Sequence, residues 1–341
     1  ALLNSRATAR SYCPELLPRS YCPGATAPEQ LPRAAAPEPL LFKFSHFRSI
    51  MASMHHDWHI AGRTLPRSKR TLVMGVLNVT PDSFSDGGQF LSPAAALAQA
   101  EQMIAEGADI IDVGGESTRP GASLVSAEQE IQRVVPVISE LARRTSVPIS
   151  IDTTKAAVAR AALDSGAVIV NDISALRFDF HLADEAAKSG AGLVLMHSRG
   201  TPATMQRLPP VADILEEVTT SLRSSIAMAE RRGVKRESIV IDPGIGFGKT
   251  REQNVELIAK LDRLATAFPD LPVLIGTSRK SFIGRLLADE DGKPASVEDR
   301  VHGTMATLTA AVLHGAHIVR VHDVKAAVET VRVADAMKHS S

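Results

Sequence analysis

The sequence predicts a (β/α)8 TIM barrel that follows a disordered N-terminal extension. From Thr71 onward, short runs rich in valine and isoleucine alternate with amphipathic helical patterns, and eight such runs occur. Runs that are apolar on both faces are typical of parallel strands covered by helices. Eight strands, each followed by a helix, match the count and length of a barrel. A doubly wound open sheet is the alternative.

Residues 1–68 are predicted to be a disordered or non-native leader, and residues 69–341 to form the barrel. Proline and alanine dominate up to Leu40, and RSYCPELLP is nearly repeated as RSYCPGATAP. Proline at this density opposes both helix and sheet. A transit peptide would also have few acidic residues, and a reading frame extended upstream of Met51 or Met54 is another explanation. His55 and His59 are four residues apart, but we expect no metal site because nothing rigid holds them.

The predicted strands follow one another along the rest of the chain. In order they are TLVMGVLNVT, ADIIDVGG, VPISIDTT, AVIVNDIS, GLVLMHS, SIVIDPGIG, PVLIGTS and HIVRVHD. The first helix is expected to begin with Ser92 as N-cap and Pro93 as its first residue, and to end at Gly107. The seventh connection is long, since the polar segment LLADEDGKPA precedes its helix.

Bulk properties exclude several classes of function. The formal net charge is zero, whereas nucleic-acid binding requires a basic surplus, so no such partner is expected. No apolar run reaches the roughly 18 residues of a membrane span. Cysteine occurs only at Cys13 and Cys22 in the leader, which fits a reducing compartment. We therefore predict a cytoplasmic protein, with organellar targeting by the leader as the alternative.

Polar residues stand at the ends of these otherwise apolar strands. They are Asn78, Asp112, Asp152, Asn171, His197, Asp242, Arg320 and His322. A buried polar group is costly unless it is paired, and the carboxyl ends of barrel strands open onto one face where ligands bind. The set therefore predicts one binding site, although any single member could instead cap the next helix.

The segment DPGIGFGKT resembles a nucleotide-binding P-loop but does not match it. The pattern requires glycine where the chain has Pro243, and Gly244 comes one residue too late. We interpret the segment as a tight turn after Asp242, in which glycine allows a ligand ring to approach the backbone. Lys249 is then expected at the surface.

Eight motifs in this order resemble the dihydropteroate synthase family. They are GVLNVTPDSFSDGG, DIIDVGGESTRPGA, ISIDTTK, VNDIS, LMHSRGTPATMQ, DPGIGFGKT, IGTSRKSFIG and GAHIVRVHDV. The resemblance implies a transferase that condenses 6-hydroxymethyl-7,8-dihydropterin diphosphate with p-aminobenzoate to form 7,8-dihydropteroate and pyrophosphate. It also implies early loss of pyrophosphate, attack by the arylamine, Mg²⁺ as cofactor, a homodimer formed through C-terminal helices, and inhibition by sulfonamides.

The resemblance also assigns site residues. The pterin would be bound by Asp112, Asp152, Asn171, Met196, Asp242 and Lys280. The diphosphate would contact Asn78, Arg119, Arg320 and His322. The p-aminobenzoate would contact Phe84, Thr118, Pro120, Phe247 and Ser281. Mg²⁺ would bind Asn78 directly and Asp86 through water, and the catalytic residues would be Asp152, Lys280, Arg320 and His322.

Two loops, Thr80 to Gly88 and Glu116 to Ala122, are expected to close over the substrates, since each has small polar residues between glycine and proline. Two other functions are kept open. A corrinoid-linked methyltetrahydrofolate methyltransferase would share the pterin slot but would not need the cationic diphosphate site. A non-catalytic pterin-binding paralogue would share the fold without the reaction.

Overall fold

The computed structural model describes residues 57–66, 70–80, 93–117 and 124–340. A two-stranded antiparallel hairpin comes first, formed by β1 (Trp58–Ile60) and β2 (Arg63–Leu65). The remaining strands are β3 (Leu72–Asn78), β4 (Ile110–Gly114), β5 (Ile149–Asp152), β6 (Ile169–Asp172), β7 (Gly192–Met196), β8 (Ile239–Asp242), β9 (Leu274–Ile275) and β10 (Ile318–Val321).

Helices connect these strands on the outside. They are α1 (Pro93–Ala105), α2 (Ala127–Arg144), α3 (Ala156–Asp164), α4 (Leu182–Ser189), α5 (Ile214–Arg231), α6 (Arg251–Ala259), α7 (Leu261–Ala267), α8 (Ser281–Leu286), α9 (Val301–Leu313) and α10 (Val324–His339). Pro93 begins α1 as predicted, whereas its predicted cap Ser92 lies outside the described residues.

The eight strands β3 to β10 form a parallel barrel, which confirms the predicted fold class. Each strand from β3 to β7 pairs with the next, and β10 lies between β3 and β9. A parallel bridge between Ile241 and Val273 joins the two remaining edges. A doubly wound sheet would leave two edges apart, so the open-sheet alternative is wrong.

Two apolar layers explain why the strands are apolar on both faces. The larger layer packs between the barrel and its helices and includes Val73, Leu77, Ile111 and Val319. The smaller one fills the amino-terminal half of the barrel interior, where Met74 and Ile110 meet side chains of the hairpin. The polar strand ends therefore lie at the opposite, carboxyl end of the barrel, which is where ligands bind in this architecture.

The hairpin corrects the predicted domain boundary at residue 68. Trp58 and Ile60 are fully buried in the inner apolar cluster, and the Trp58 indole N–H donates to the Ser238 carbonyl at 2.9 Å. A Cβ on Gly192 would lie only 2.6 Å from Ile60, so glycine is required where the hairpin packs. Composition misled the prediction because two buried side chains are enough to fix a short hairpin against a preformed surface.

His59 lies on this hairpin, so the argument that nothing rigid holds it was also wrong. Its Nδ1 lies 3.2 Å from the Thr64 hydroxyl, across the two strands. His55 and the rest of the predicted leader, except residues 57–66, lie outside the described residues. Among the described residues, no group of three His, Cys, Asp or Glu side chains could hold a metal ion.

Candidate active site

Four strand ends bring their polar side chains into direct contact at the carboxyl mouth of the barrel. The Arg320 guanidinium on β10 donates from Nε to Asp112 Oδ2 on β4 and from Nη2 to Asp152 Oδ2 on β5, each at 2.6 Å. Asn171 on β6 donates from Nδ2 to the same Asp112 oxygen at 3.0 Å. The expectation that these strand-end residues converge is confirmed.

This cluster retains an acceptor for a ligand. Asp112 is fully buried, and its Oδ1 has no hydrogen-bond partner within the described part of the chain. A buried carboxylate oxygen without a donor is costly, and a ligand N–H would relieve that cost. The oxygen therefore marks where an N–H-rich ring can bind.

Burial controls the ionisation of the cluster. It raises the pKa of Asp152 to about 7, with repulsion from Asp112 adding to the effect and the Arg320 cation opposing it. For Arg320, burial alone would lower the pKa, but the attraction of Asp112 and Asp152 outweighs burial and the pKa is raised. The guanidinium is therefore a permanent cation, whereas Asp152 changes charge near neutral pH.

A second group, from β8 and the loop after β9, borders the same mouth. Asp242 accepts a hydrogen bond from the Gly244 backbone N–H at 2.7 Å, which begins the glycine-rich turn. Lys280 Nζ donates to the Ile245 carbonyl and lies 4.7 Å from the centre of the Phe247 ring. Asp242, Lys280 and Phe247 are thus brought together as the resemblance implied.

Burial shifts both charged members of this group toward neutrality. It raises the pKa of Asp242, against the opposing cation of Lys280, and it lowers the pKa of Lys280 to about 8, against the attraction of Asp242. Lys280 also lies close to the first group of the site. A Cβ on Gly276 would have both Arg320 Cβ and Lys280 Nζ within 4.0 Å.

Met196 and His197, at the end of β7, form one wall of the turn. A Cβ on Gly244 would lie 1.8 Å from the His197 carbonyl oxygen and 3.2 Å from Met196 Cγ. Since φ of Gly244 is also +67°, only glycine fits here. The prediction was that glycine allows a ligand ring to approach the turn. In the structure, the group that approaches Gly244 is the protein's own backbone at His197.

Lys249 is not a surface residue, contrary to the expectation. It is 8% exposed, and its Nζ donates to the carbonyls of Gly244 at 2.8 Å, Phe247 at 3.2 Å and His197 at 3.3 Å. Burial lowers its pKa well below the usual value, although the nearby Asp242 opposes that effect. The sequence pattern was misleading because a lysine after glycine in a loop ordinarily points to solvent.

His322 follows β10 and contacts Ser278, with its Nδ1 3.0 Å from the serine hydroxyl. Arg279 and Asp323, which directly follow Ser278 and His322, are paired as well. The Arg279 guanidinium donates two N–H groups to the Asp323 carboxylate. Arg279 has φ of +55°, a conformation that is unfavourable for a residue with a side chain. Sequence reasoning missed this pair because nothing in the sequence indicates that residues 279 and 323 meet.

The asparagine that ends β3 supplies an oxygen at the same mouth. Asn78 Oδ1 and Asp152 Oδ2 lie 3.6 and 3.8 Å from the position that a Cβ on Gly114 would take, so both oxygens face one space over that glycine. Few protein oxygens, completed by phosphate and water, are what Mg²⁺ usually takes. The residues present therefore fit a magnesium ion shared with a phosphorylated ligand.

The structure describes only some of the other residues predicted to bind the substrates. Ser281 is the first residue of α8 and is exposed. Phe84, Asp86, Thr118, Arg119 and Pro120 lie outside the described residues, as do most of the two predicted loops. Thr80 and Glu116, where these loops begin, are described; Glu116 is paired with Lys155 at 2.6 Å and accepts from the Val125 N–H at 2.9 Å.

Known proteins similar to this chain include pterin-binding enzymes. The pterin binding enzyme family matches residues 74–322. A dihydropteroate synthase of Synechocystis sp. is 49% identical over 269 residues, which are 79% of this chain and 91% of the relative.

Two solved structures are similar to the fold described here. Yersinia pestis dihydropteroate synthase in a complex with a sulfonamide drug has a TM-score of 0.76 and 42% identity, covering 83% of this chain and 100% of that one. Xanthomonas albilineans dihydropteroate synthase with 4-aminobenzoic acid has a TM-score of 0.74 and 43% identity, covering 83% and 98% of the two chains.

Proposed function

The chain belongs to the dihydropteroate synthases of the pterin binding enzyme family, and from this premise we propose how its residues perform the reaction. The reaction condenses 6-hydroxymethyl-7,8-dihydropterin diphosphate with p-aminobenzoate, so the enzyme is a transferase. Carbon–oxygen cleavage releases pyrophosphate, and the arylamine nitrogen forms the new bond to the same methylene carbon. The proton that the arylamine loses leaves with pyrophosphate or solvent.

The pterin slot is formed by the acidic strand ends. The unpartnered Oδ1 of Asp112 and the carboxylates of Asp152 and Asp242 would accept N–H groups of the aminopyrimidine, and Asn171 would complete this edge. The contacts of Arg320 support this proposal. Its guanidinium presents N–H groups in one plane, as the aminopyrimidine does, and two of these carboxylates already bind it. Lys280 would reach the ring carbonyl and N5, and Met196 would pack under the ring.

The diphosphate requires positive charge beside the pterin slot. Arg320 and His322 are two residues apart at the end of β10, and Arg119 would join them from the loop after β4. These groups would stabilise the negative charge that builds up on the departing pyrophosphate. Mg²⁺ held by Asn78, with Asp86 acting through water, would supply further positive charge to the diphosphate.

Loss of pyrophosphate leaves a cationic methylene carbon conjugated with the dihydropterin ring. Asp112, Asp152 and Asp242 would favour that cation electrostatically, because the first two bind Arg320 directly and Asp242 is near enough to attract the same guanidinium. No general base of high strength is required, since an arylamine is nucleophilic in its neutral form. The site must exclude water at this stage, which is the proposed task of the loops at Thr80 to Gly88 and Glu116 to Ala122.

The second substrate would enter beside the glycine-rich turn. Phe247 is half-buried there, and its ring would pack on the benzoate ring, while Ser281 and its backbone N–H would bind the carboxylate. Phe84, Thr118 and Pro120 would enclose the ring from the two loops. Because sulfonamides have the shape and charge of p-aminobenzoate, we propose that they compete for this position.

The observation that carries the proposal is the joining of four strand ends by Arg320, Asp112, Asp152 and Asn171 around an unsatisfied carboxylate oxygen. The test is an assay of pyrophosphate release with purified protein, Mg²⁺ and both substrates. Release that requires Mg²⁺ and both substrates and yields dihydropteroate supports the proposal. Binding of the pterin without release would identify a non-catalytic paralogue, and methyl transfer from methyltetrahydrofolate would identify a methyltransferase.

Assembly and location are part of the same proposal. The C-terminal helices α9 and α10 expose Leu313, Val333 and Met337, and an apolar surface of this kind suits a homodimer. Light scattering on the purified chain measures its mass directly. Within the described residues, none of the helices is long and apolar enough to cross a membrane. We propose a cytoplasmic location, with targeting by the N-terminal extension as the alternative.

A further inference from the structure

The buried lysine of the Gly-Lys-Thr segment has no role in the reaction as described above. An ammonium carries three N–H donors, and Lys249 directs Nζ at three backbone carbonyl oxygens, which favour the ammonium against the effect of burial. Its hydrogen-bonding capacity is therefore fully used by the protein. Lys249 cannot act as a phosphate ligand without giving up these contacts, which excludes the role that a P-loop lysine would have.

The three carbonyls belong to two different loops at the mouth of the barrel. His197 lies directly after β7, whereas Gly244 and Phe247 lie in the turn after β8. The two loops are in close contact, because a Cβ on Gly248 would stand 2.7 Å from the Arg199 carbonyl oxygen. Lys249 thus joins the turn to the neighbouring wall of the site at the place where their backbones meet.

The turn depends on side-chain contacts to fix its shape. Gly244, Gly246 and Gly248 have φ values of +67°, +86° and +70°, and glycine loses more conformational freedom on ordering than other residues. Side chains of the surrounding elements bind its backbone: Asp242 accepts from the Gly244 N–H at 2.7 Å, and Asn254 Oδ1 accepts from the Gly246 N–H at 2.6 Å. Lys280 and Arg199 donate to the carbonyls of Ile245 and Gly248, and Lys249 donates to the carbonyl of Phe247. A turn of this composition needs such internal contacts to present one conformation.

We propose that Lys249 is a positioning residue for p-aminobenzoate, because its ammonium fixes the turn that presents the Phe247 ring. The Phe247 carbonyl is bound by Lys249, and the Phe247 ring lies beside Lys280 on the proposed substrate side. Releasing the carbonyl allows the ring to leave that position. The inference rests on the proposed placement of p-aminobenzoate against Phe247, and it concerns affinity for this substrate rather than the chemical step.

The test is Lys249→Met, which keeps the length of the side chain and removes all three donors. We expect the KM for p-aminobenzoate to rise on the order of tenfold, the equivalent of about 1.4 kcal/mol. The KM for the pterin diphosphate should change much less, since Asp112 and Asp152 are not in the turn. Lys249→Gln, whose amide supplies two donors, should give an intermediate rise. Lys260→Met is the matched control, because Lys260 is exposed directly after α6 and pairs only with Glu256 among the described side chains.

The wild-type protein, measured in the same assay, tests the proposed function separately from the role of Lys249. An unchanged KM for p-aminobenzoate in folded Lys249→Met would overturn the inference. Equal increases in both KM values, or a fall in kcat alone, would do so as well, because a general loss of structure affects both substrates. If Lys249→Met does not fold, Lys249→Gln decides the question: a selective rise supports the inference, and equal or absent changes contradict it.

Discussion

Replacing Asp152 by asparagine separates pterin binding from folding. The Asp152 carboxylate lies at the end of β5 and accepts from Arg320 Nη2 at 2.6 Å. In the proposed complex it accepts N–H groups of the pterin, and a hydrogen bond to a charged group contributes about 1.5–3 kcal/mol. Since 1.4 kcal/mol is tenfold in affinity, we expect the Kd for the pterin substrate to rise by about 10- to 150-fold in Asp152→Asn.

Stability should respond differently, because the wild-type carboxylate is unfavourable for folding when it is ionised. Burial raises the pKa of Asp152 from 3.8 to about 7, so the folded protein binds this proton more tightly than the unfolded chain does. The contribution of this group to stability therefore falls as the pH rises from about 4 to 7. Asparagine does not ionise, so the unfolding free energy of the variant should improve relative to wild type across this interval. The loss of one partner of Arg320 works in the opposite direction, and Asp112 remains as its other partner.

Titration calorimetry with the pterin substrate and thermal unfolding at pH 8 measure the two effects independently. At pH 8 we expect the Tm of Asp152→Asn to lie within about 2 °C of wild type, which is roughly 1 kcal/mol for a domain of this size. Asp164→Asn is the matched control, because Asp164 is exposed at the end of the helix that follows the same strand. Wild-type affinity in the variant would refute the assignment of the pterin slot. A loss of binding that appears only together with a large fall in Tm would refute the separation of binding from folding.

Three more predictions depend on other parts of the molecule. The kcat/KM for the pterin substrate should rise with pH through about 7 as Asp152 ionises and fall above about 8 as Lys280 loses its proton. A pH profile without the rising part would contradict the role of ionised Asp152 in binding the pterin. Trp58→Ala should lower the free energy of unfolding by about 3–5 kcal/mol in denaturant titrations, whereas a chain that begins at Met54 should keep wild-type activity and Tm. Gly244→Ala should abolish pterin binding in calorimetry, because its Cβ would overlap a backbone carbonyl oxygen at 1.8 Å; normal binding would show that the turn can rearrange.

The order and type of the barrel elements were predictable because each is specified locally. Strands such as β3 and β4 are almost entirely apolar, and the polar residue in the carboxyl-terminal part of each can be read directly from the sequence. Barrel topology then requires these ends to share one face, so the convergence of Asp112, Asp152 and Asn171 followed without knowledge of any distance. The parallel register of the strands, with Asp152 opposite Asn171, confirms that reasoning.

The hairpin was missed because its stability comes from contacts distant in sequence. Trp58 bonds to Ser238 and packs on Gly192, and nothing in the segment from Trp58 to Leu65 indicates either partner. Its neighbours in the sequence are rich in proline, so composition extended the predicted leader across it. Secondary structure that forms only on a surface made by other segments is not encoded in local pattern.

The sequence by itself determined the fold class, the family and the strand-end residues that meet at the mouth of the barrel, because periodicity, strand ends and long motifs are properties of neighbouring residues. Only the tertiary structure decided which of these residues have shifted pKa values and which of them hold one another in place. The burial that raises the pKa of Asp152, the pairing of Arg279 with Asp323 and the enclosure of Lys249 by three carbonyls all depend on segments far apart in the chain. Desolvation and hydrogen bonding act through space, so they become fixed only when the barrel closes.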